Sequence, residues 1–161
     1  MTFWQRLARA MGTHRFVRWL RFYPPYLGTG LRVIHADRRL REIEVELRLH
    51  AWNRNYVGTH FGGSLYSMCD PFYMVMVMEN LGPSYVVWDK SATIEFRKPG
   101  RGRVRARFTL TDEQLAQIHR DVERDGKASP CFEVTVVNEA GETVARVGKV
   151  LSVKPRRPGP Q

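Results

Sequence analysis

Residues 55–82 read NYVGTHFGGSLYSMCDPFYMVMVMENLG, opening on glycines and closing on a stretch of helical length that is apolar nearly all round. A helix of that kind has no solvent face and must be enclosed by the rest of the fold. The flanks supply the enclosure. Ile43, Val45, Leu47, Leu49 and Ala51 alternate with Glu44, Glu46, Arg48 and His50, and Val104, Ala106, Phe108 and Leu110 alternate with Arg103, Arg105, Arg107 and Thr109. A period of two turns one face of each strand to a core and the other to water. Residues 31–36, 86–96, 131–137 and 143–153 read as further strands, the last two joined by a turn at 138–141. Lys98-Pro99-Gly100 predicts a hairpin between strand 86–96 and strand 103–110. Antiparallel strands around one buried helix make an α+β domain with a curved sheet wrapped around that helix. The uncovered sheet edge leads to the expectation of a homodimer, or a tetramer built from it.

Three regions follow: an amphipathic helical extension (1–30), the α+β domain (31–153) and a disordered tail rich in proline and arginine (154–161). In the extension Trp4, Leu7, Met11, Phe16, Trp19 and Leu20 recur at helical spacing, with Gly12-Thr13 dividing two short helices. Arg6, Arg9 and Arg18 fall away from those apolar stripes. The pattern suits a helix docked on the core, or one making peripheral contact with a membrane surface. Pro24-Pro25 is expected to end any helix. Residues 111–123 predict another, with Thr111 as its N-cap.

The formal charge is +10 at pH 7, which attracts nucleic acid, anionic lipid or polyanionic small molecules without choosing among them. The row Arg103, Arg105, Arg107 lacks the interleaved aromatics of a nucleic-acid platform, so no specific nucleic-acid partner is expected. Cys69 and Cys131 sit in apolar contexts and read as buried, reduced thiols, giving a cytoplasmic expectation. No apolar run approaches the ~18 residues of a membrane span. His14, His35, His50, His60 and His119 form no close ligand pair, and Gly28-Thr29-Gly30 lacks the third glycine of a dinucleotide loop, so neither metal nor cofactor is expected.

Inside the central stretch a single carboxylate, Asp70, stands among Leu65, Tyr66, Met68, Cys69, Phe72, Tyr73 and Met74. An isolated charge in such company is costly unless it is paired or used. The run Asn55, Gly58-Thr59, Phe61-Gly62-Gly63, Asp70 resembles the signature of hotdog-fold acyl-CoA thioesterases, in particular the phenylacetyl-CoA thioesterase-like branch and its uncharacterised thioesterase-like members. That branch carries an asparagine, then histidine-glycine-glycine at the start of the hotdog helix, then an acid within the helix. The spacing matches at Asn55, Gly62, Gly63 and Asp70. Phe61 stands where the family has histidine, and His60 comes one residue early.

The resemblance implies a hotdog fold and hydrolysis of an acyl-CoA thioester by water, with acyl-CoA as substrate and no further cofactor. Gly63 suits an oxyanion donor, because glycine lets a ligand approach the backbone N–H; a tight loop-to-helix turn needs glycine equally. By resemblance Asp70 is general base or nucleophile, in a pocket shared with a partner subunit. Asp70-Pro71 also fits the cap of a restarting helix. Asn55 is a candidate to hold the attacking water or the thioester oxygen, and equally an ordinary turn residue. His60, Phe61, Gly62 and Ser67 are candidate substrate contacts, although Ser64 and Ser67 fit plain helix positions. Lys98, Arg101 and Arg103 suit the phosphates of coenzyme A, or an exposed turn. Met74, Met76 and Met78 with Phe72 and Tyr73 suit either an acyl-chain tunnel or core packing. Phe61 in the histidine position also motivates the alternative of a non-catalytic acyl- or lipid-binding hotdog protein.

Overall fold

The computed structural model describes residues 3–156; residues 1–2, most of the expected tail (157–161) and, within the first helix, the side chains of residues 4, 5, 8 and 9 lie outside that description. The N-terminal extension folds as α1 (Phe3–Met11), α2 (Thr13–Arg18), a 3-10 turn (Leu20–Phe22) and α3 (Pro24–Leu27). Gly12, at φ 81°, separates the first two helices as expected. Val17, Leu20 and Tyr26 are buried in the same core as the sheet, so this part of the extension is docked. Pro24 and Pro25 open a short helix where an ending was expected. At the first helical positions the missing N–H has no acceptor to lose, and the fixed φ is already helical.

Six strands form one antiparallel sheet: β1 (Leu31–Ala36), β2 (Glu42–Arg48), β3 (Tyr85–Phe96), β4 (Arg103–Thr109), β5 (Cys131–Asn138) and β6 (Thr143–Pro155), in the order β1-β2-β4-β5-β6-β3. The period-two pattern is realised directly. Ile43, Val45 and Leu47 are buried and lie opposite Phe108, Ala106 and Val104. On the outer face Arg48 and Arg105 close on Glu46, Arg107 on Glu42 and Arg103 on Glu139.

The expected hairpin of β3 with β4 does not form. β3 pairs with β6, from Tyr85 opposite Pro155 to Phe96 opposite Ala145, and β4 lies between β2 and β5. Lys98-Pro99-Gly100 can turn the chain, but turn chemistry does not choose a strand's partner; matching apolar faces far apart in sequence do. Residues 97–102 cross to the far side of the sheet instead. On the way they pack on His60, whose backbone N–H donates to the Gly100 carbonyl at 2.9 Å.

The central stretch is two helices, α4 (Gly62–Ser67) and α5 (Phe72–Leu81). Pro71 has no N–H to continue the ladder, and the amides before it tighten to i−3 acceptors, Cys69 N–H to Tyr66 O and Asp70 N–H to Ser67 O. One face of α5 buries Phe72, Tyr73, Met76, Val77 and Leu81. The opposite face was expected to be enclosed as well, but Met74 and Val75 are half-buried and Met78 is exposed. These three line an apolar groove of 510 Å³ whose far wall is Phe16, Leu20 and Tyr23 of the extension. The helix is apolar all round because the sheet takes one side and the extension faces the other.

A last helix, α6 (Asp112–Asp125), starts at Thr111, which exchanges capping bonds with Gln114. Cys69 is buried as expected, and burial pushes its thiol up to about 12. Cys131 is exposed, against expectation: it begins β5 at an outward position of the alternation. Among the described residues no helix is long and apolar enough to cross a membrane, and no group of histidine, cysteine and acidic side chains could hold a metal ion.

Candidate functional site

The start of α4 gathers much of the expected site. A pocket of 490 Å³ is lined by Asn55, His60, Gly62, Lys98 and Arg101, with Phe96 beside them. Phe61 is the N-cap residue and offers no side-chain acceptor, so the first-turn amides of Gly62 and Gly63 keep no bond among the described residues. The glycines also leave room for two neighbouring rings. A Cβ on Gly63 would meet the Phe61 ring at 2.5 Å, and one on Gly62 would meet the Phe96 ring at 3.0 Å. Both rings are themselves exposed.

His60 is buried, and its Nε2 lies 3.1 Å from the Gly102 carbonyl. That contact makes Nε2–H the donor and leaves Nδ1 as the lone-pair nitrogen. Nδ1 is buried without a partner among the described residues. Burial holds the imidazole below its ordinary pKa, partly offset by the Gly102 bond. Asn55 lines the same pocket with its amide already committed: Oδ1 accepts from Val57 N–H and Thr59 N–H, and Nδ2 donates to Thr59 Oγ1 and the His60 carbonyl. It organises the loop that presents His60.

Lys98, within the pocket lining, pairs with Glu142 at 2.5 Å. The remaining expected residues disperse. Arg103 leaves the pocket and pairs with Glu139 at 3.3 Å on the outer face of β4. Ser67 donates to the Gly63 carbonyl within its own helix at 2.8 Å. Asp70 does not line the pocket.

Asp70 lies in the break between α4 and α5, and it does not cap α5, whose N-cap is Pro71 with no side-chain bond. Its Oδ1 accepts from Tyr66 Oη at 2.8 Å and from Lys149 Nζ at 3.0 Å. Its Oδ2 has no partner among the described residues, and the side chain is 42% exposed. Lys149 is fully buried and also contacts Asp89 at 2.8 Å. Burial alone would lower its pKa, but the bonds to Asp89 and Asp70 win and hold the ammonium above its ordinary value. The Tyr66 phenol is raised by burial and by its bond to Asp70. Tyr26 is raised by burial and then by the nearby charge of Asp70; it also lines the apolar groove, as does Pro71. Asp70, Tyr66, Lys149 and Asp89 do not themselves line the groove.

The cluster answers the puzzle of a lone carboxylate: its counter-ion lies 79 residues away. Lys149 carried a legible signal. In the alternation of β6 it occupies an inward position between Val147 and Leu151, where a lysine is stable only against buried acids. Asp89 shares the inward side of β3 with Val87 by the same parity.

A family described as a domain of unknown function (DUF4442) matches residues 12–153. Similar solved structures include a Pseudomonas aeruginosa protein of unknown function described as a probable thioesterase, 21% identical over 88% of this chain and 95% of that one, with a TM-score of 0.77. A Chlorobaculum tepidum protein of unknown function is 19% identical over 89% and 95%, with a TM-score of 0.73. A thioesterase from Haemophilus influenzae is 12% identical over 92% and 94%, with a TM-score of 0.66. At these identities the likeness is one of fold, and the fold is the hotdog: an antiparallel sheet curved around one central helical stretch. None of the curated proteins matches the sequence.

Proposed function

The chain belongs to the DUF4442 family, and from that premise we propose that it is a thioester hydrolase acting on acyl-CoA, with Asp70 as general base. The observation that carries this reading is the divided carboxylate of Asp70: among the described residues Oδ1 takes both anchoring bonds and Oδ2 takes none. A carboxylate held at one oxygen keeps its direction and can receive a proton at the other. A water on Oδ2 gives up its proton as its oxygen bonds the thioester carbonyl carbon. The carbonyl oxygen becomes an oxyanion on the free amide of Gly63, with Gly62 beside it. Collapse breaks the C–S bond, and the proton taken by Asp70 passes to the leaving thiolate, giving carboxylic acid and thiol.

The apolar groove past Met74 and Met78 suits the acyl chain, since flexible thioethers adapt to irregular apolar ligands. Arg101 and Lys98, at the mouth of the His60 pocket, suit the coenzyme A phosphates. His60 Nδ1 is an acceptor for a donor on the ligand, and Asn55 holds the loop that aims it. Asp70 lies outside the pocket that contains Gly62, so the reading includes a homodimer in which the partner's Asp70 faces this pocket. The surface for it is β3, an edge strand paired only to β6 and exposed on both faces from Trp88 to Thr93.

Purified protein offered a panel of acyl-CoA thioesters is expected to release free thiol, and Asp70→Asn to reduce turnover by about 10²–10⁴-fold without dissociating the dimer. Turnover that survives the substitution removes Asp70 from the mechanism. Tight acyl-CoA binding with no turnover across the panel selects the non-catalytic acyl-binding alternative, which the groove supports independently of Asp70.

A further inference from the structure

The net charge is not spread evenly. Six of the chain's arginines fall in residues 1–36, which contain no aspartate or glutamate. Arg6, Arg15, Arg18 and Arg21 are exposed, and none has an ion pair among the described residues. The arginines of β2 and β4, by contrast, are matched to Glu46, Glu42 and Glu139. The extension also leaves apolar side chains in water: Trp19 at 56%, Phe22 at 47% and Leu27 at 59%. Trp19 and Phe22 touch, their ring centroids 5.3 Å apart, and the Arg21 guanidinium sits 4.5 Å above the Phe22 ring. Val17 and Leu20, on the other side of the same turns, are buried in the core, so the segment cannot rotate to hide the aromatics.

Unpaired guanidinium groups interleaved with exposed tryptophan, phenylalanine and leucine match the boundary of an anionic bilayer. There aromatic rings rest among the headgroups and arginine meets phosphate. We propose that the extension, through Trp19, Phe22 and Leu27 flanked by Arg15, Arg18 and Arg21, docks the protein on the surface of an anionic membrane. Charge complementarity decides the occupant. A second copy would bring the same unpaired arginines against these and repel them, and nucleic acid would leave Leu27 and the edge of Phe22 without a partner. The docking needs no span, only a fixed apolar wedge with its basic collar. Phe16, Leu20 and Tyr23 on the inner side wall the apolar groove, so a docked extension holds the mouth of that groove at the lipid surface.

The test is co-sedimentation of the full chain with vesicles of phosphatidylcholine alone and of a two-to-one phosphatidylcholine–phosphatidylglycerol mixture. Binding is expected on the mixture, weakened by added salt, and absent on phosphatidylcholine. Replacing Arg15, Arg18 and Arg21 together by glutamine should weaken it about a hundredfold, roughly fivefold per arginine. Trp19→Ala with Phe22→Ala should weaken it at every salt concentration, with an unchanged circular dichroism spectrum and unchanged thioesterase turnover in solution. Equal binding to both vesicles overturns the proposal, as does binding indifferent to the aromatic pair. Dissociation of the dimer by that pair would assign the face to a second copy and overturn it too. Since the readout is partition and not turnover, its failure is separate from a failure of the thioesterase reading.

Discussion

The two ends of α4 are built on opposite principles. At its start, Phe61 provides no cap and, among the described residues, the Gly62 and Gly63 amides and a buried nitrogen of His60 have no partner. Seven residues beyond Gly63, Asp70 is held by Tyr66 and Lys149, and Lys149 is held in turn by Asp89. An unsatisfied buried polar atom costs stability, so the His60 imidazole at the first end carries a cost that a ligand could offset. The second end is an anchored network that leaves Oδ2 of Asp70 without a partner among the described residues. A hydrolase needs both kinds of place: one that gains bonds when substrate arrives, and one whose base does not move.

The largest effect that would break this contrast is expected at Lys149. Lys149→Met leaves Asp70 and Asp89 facing each other without a counter-ion and should cost about 3 kcal/mol of unfolding free energy, the low end for a broken buried pair because both acids keep some water. Adding Asp70→Asn and Asp89→Asn should recover most of it, since replacing the whole network is far cheaper than halving it. The sign with pH follows from the raised lysine. Its stabilisation is fully present below the unfolded pKa of about 10.4 and is lost as pH rises through the higher folded value. Denaturant melts should thus show the variant's deficit at neutral pH and see it shrink in strong alkali. A deficit under about 1 kcal/mol at pH 7 would mean that the acids need no partner, and the anchored end would lose its meaning.

That same cluster marks how far the sequence could be read. Alternation at 43–47 and 104–108 placed β2 and β4 and their buried faces, and the uniform apolarity after Phe72 placed α5, because both are periodic and local. The β3–β6 pairing was not local, so a plausible turn at 98–100 suggested the wrong neighbour. Asp70 was conspicuous as a charge among apolar residues, but its partner was invisible until β6 was laid beside the helix. The inward parity of Lys149 was the available clue. Gly62 and Gly63 were read as openings for a ligand, and the rings of Phe61 and Phe96 add a packing reason that residue spacing could not contain.

The middle effects sharpen the contrast from each side. Tyr66→Phe removes one of the two bonds on Oδ1 and should cost about 1 kcal/mol, modest because the phenol is only half-buried. If the bond also aims the acid, turnover falls while KM holds; unchanged turnover would reduce Tyr66 to a stability role. At the open end Gly63→Ala should barely alter stability. The exposed Phe61 ring can swing from the new methyl, and alanine favours the helix by up to about 1 kcal/mol. The displaced ring and methyl crowd the amide, so turnover should drop at least tenfold with the melt unchanged. A large stability loss with full activity would make the glycine pair a packing device alone.

His60 gives the smallest effect and the most selective one. Its folded pKa is depressed by burial, so the stability it contributes is present above the unfolded value of about 6.5 and is lost as pH falls through the folded one. His60→Gln keeps a donor for the Gly102 carbonyl and has nothing to protonate. Urea melts between pH 7 and pH 5, above the range where carboxylates titrate, should show the wild type losing stability that the variant retains. A ligand donating a hydrogen bond to Nδ1 binds the neutral imidazole only, so acyl-CoA should push the wild-type loss to lower pH and leave the variant's profile unmoved. Parallel profiles for the two proteins, with and without acyl-CoA, would show that Nδ1 never gains a partner, and the open end of α4 would then be a strained turn and not a site.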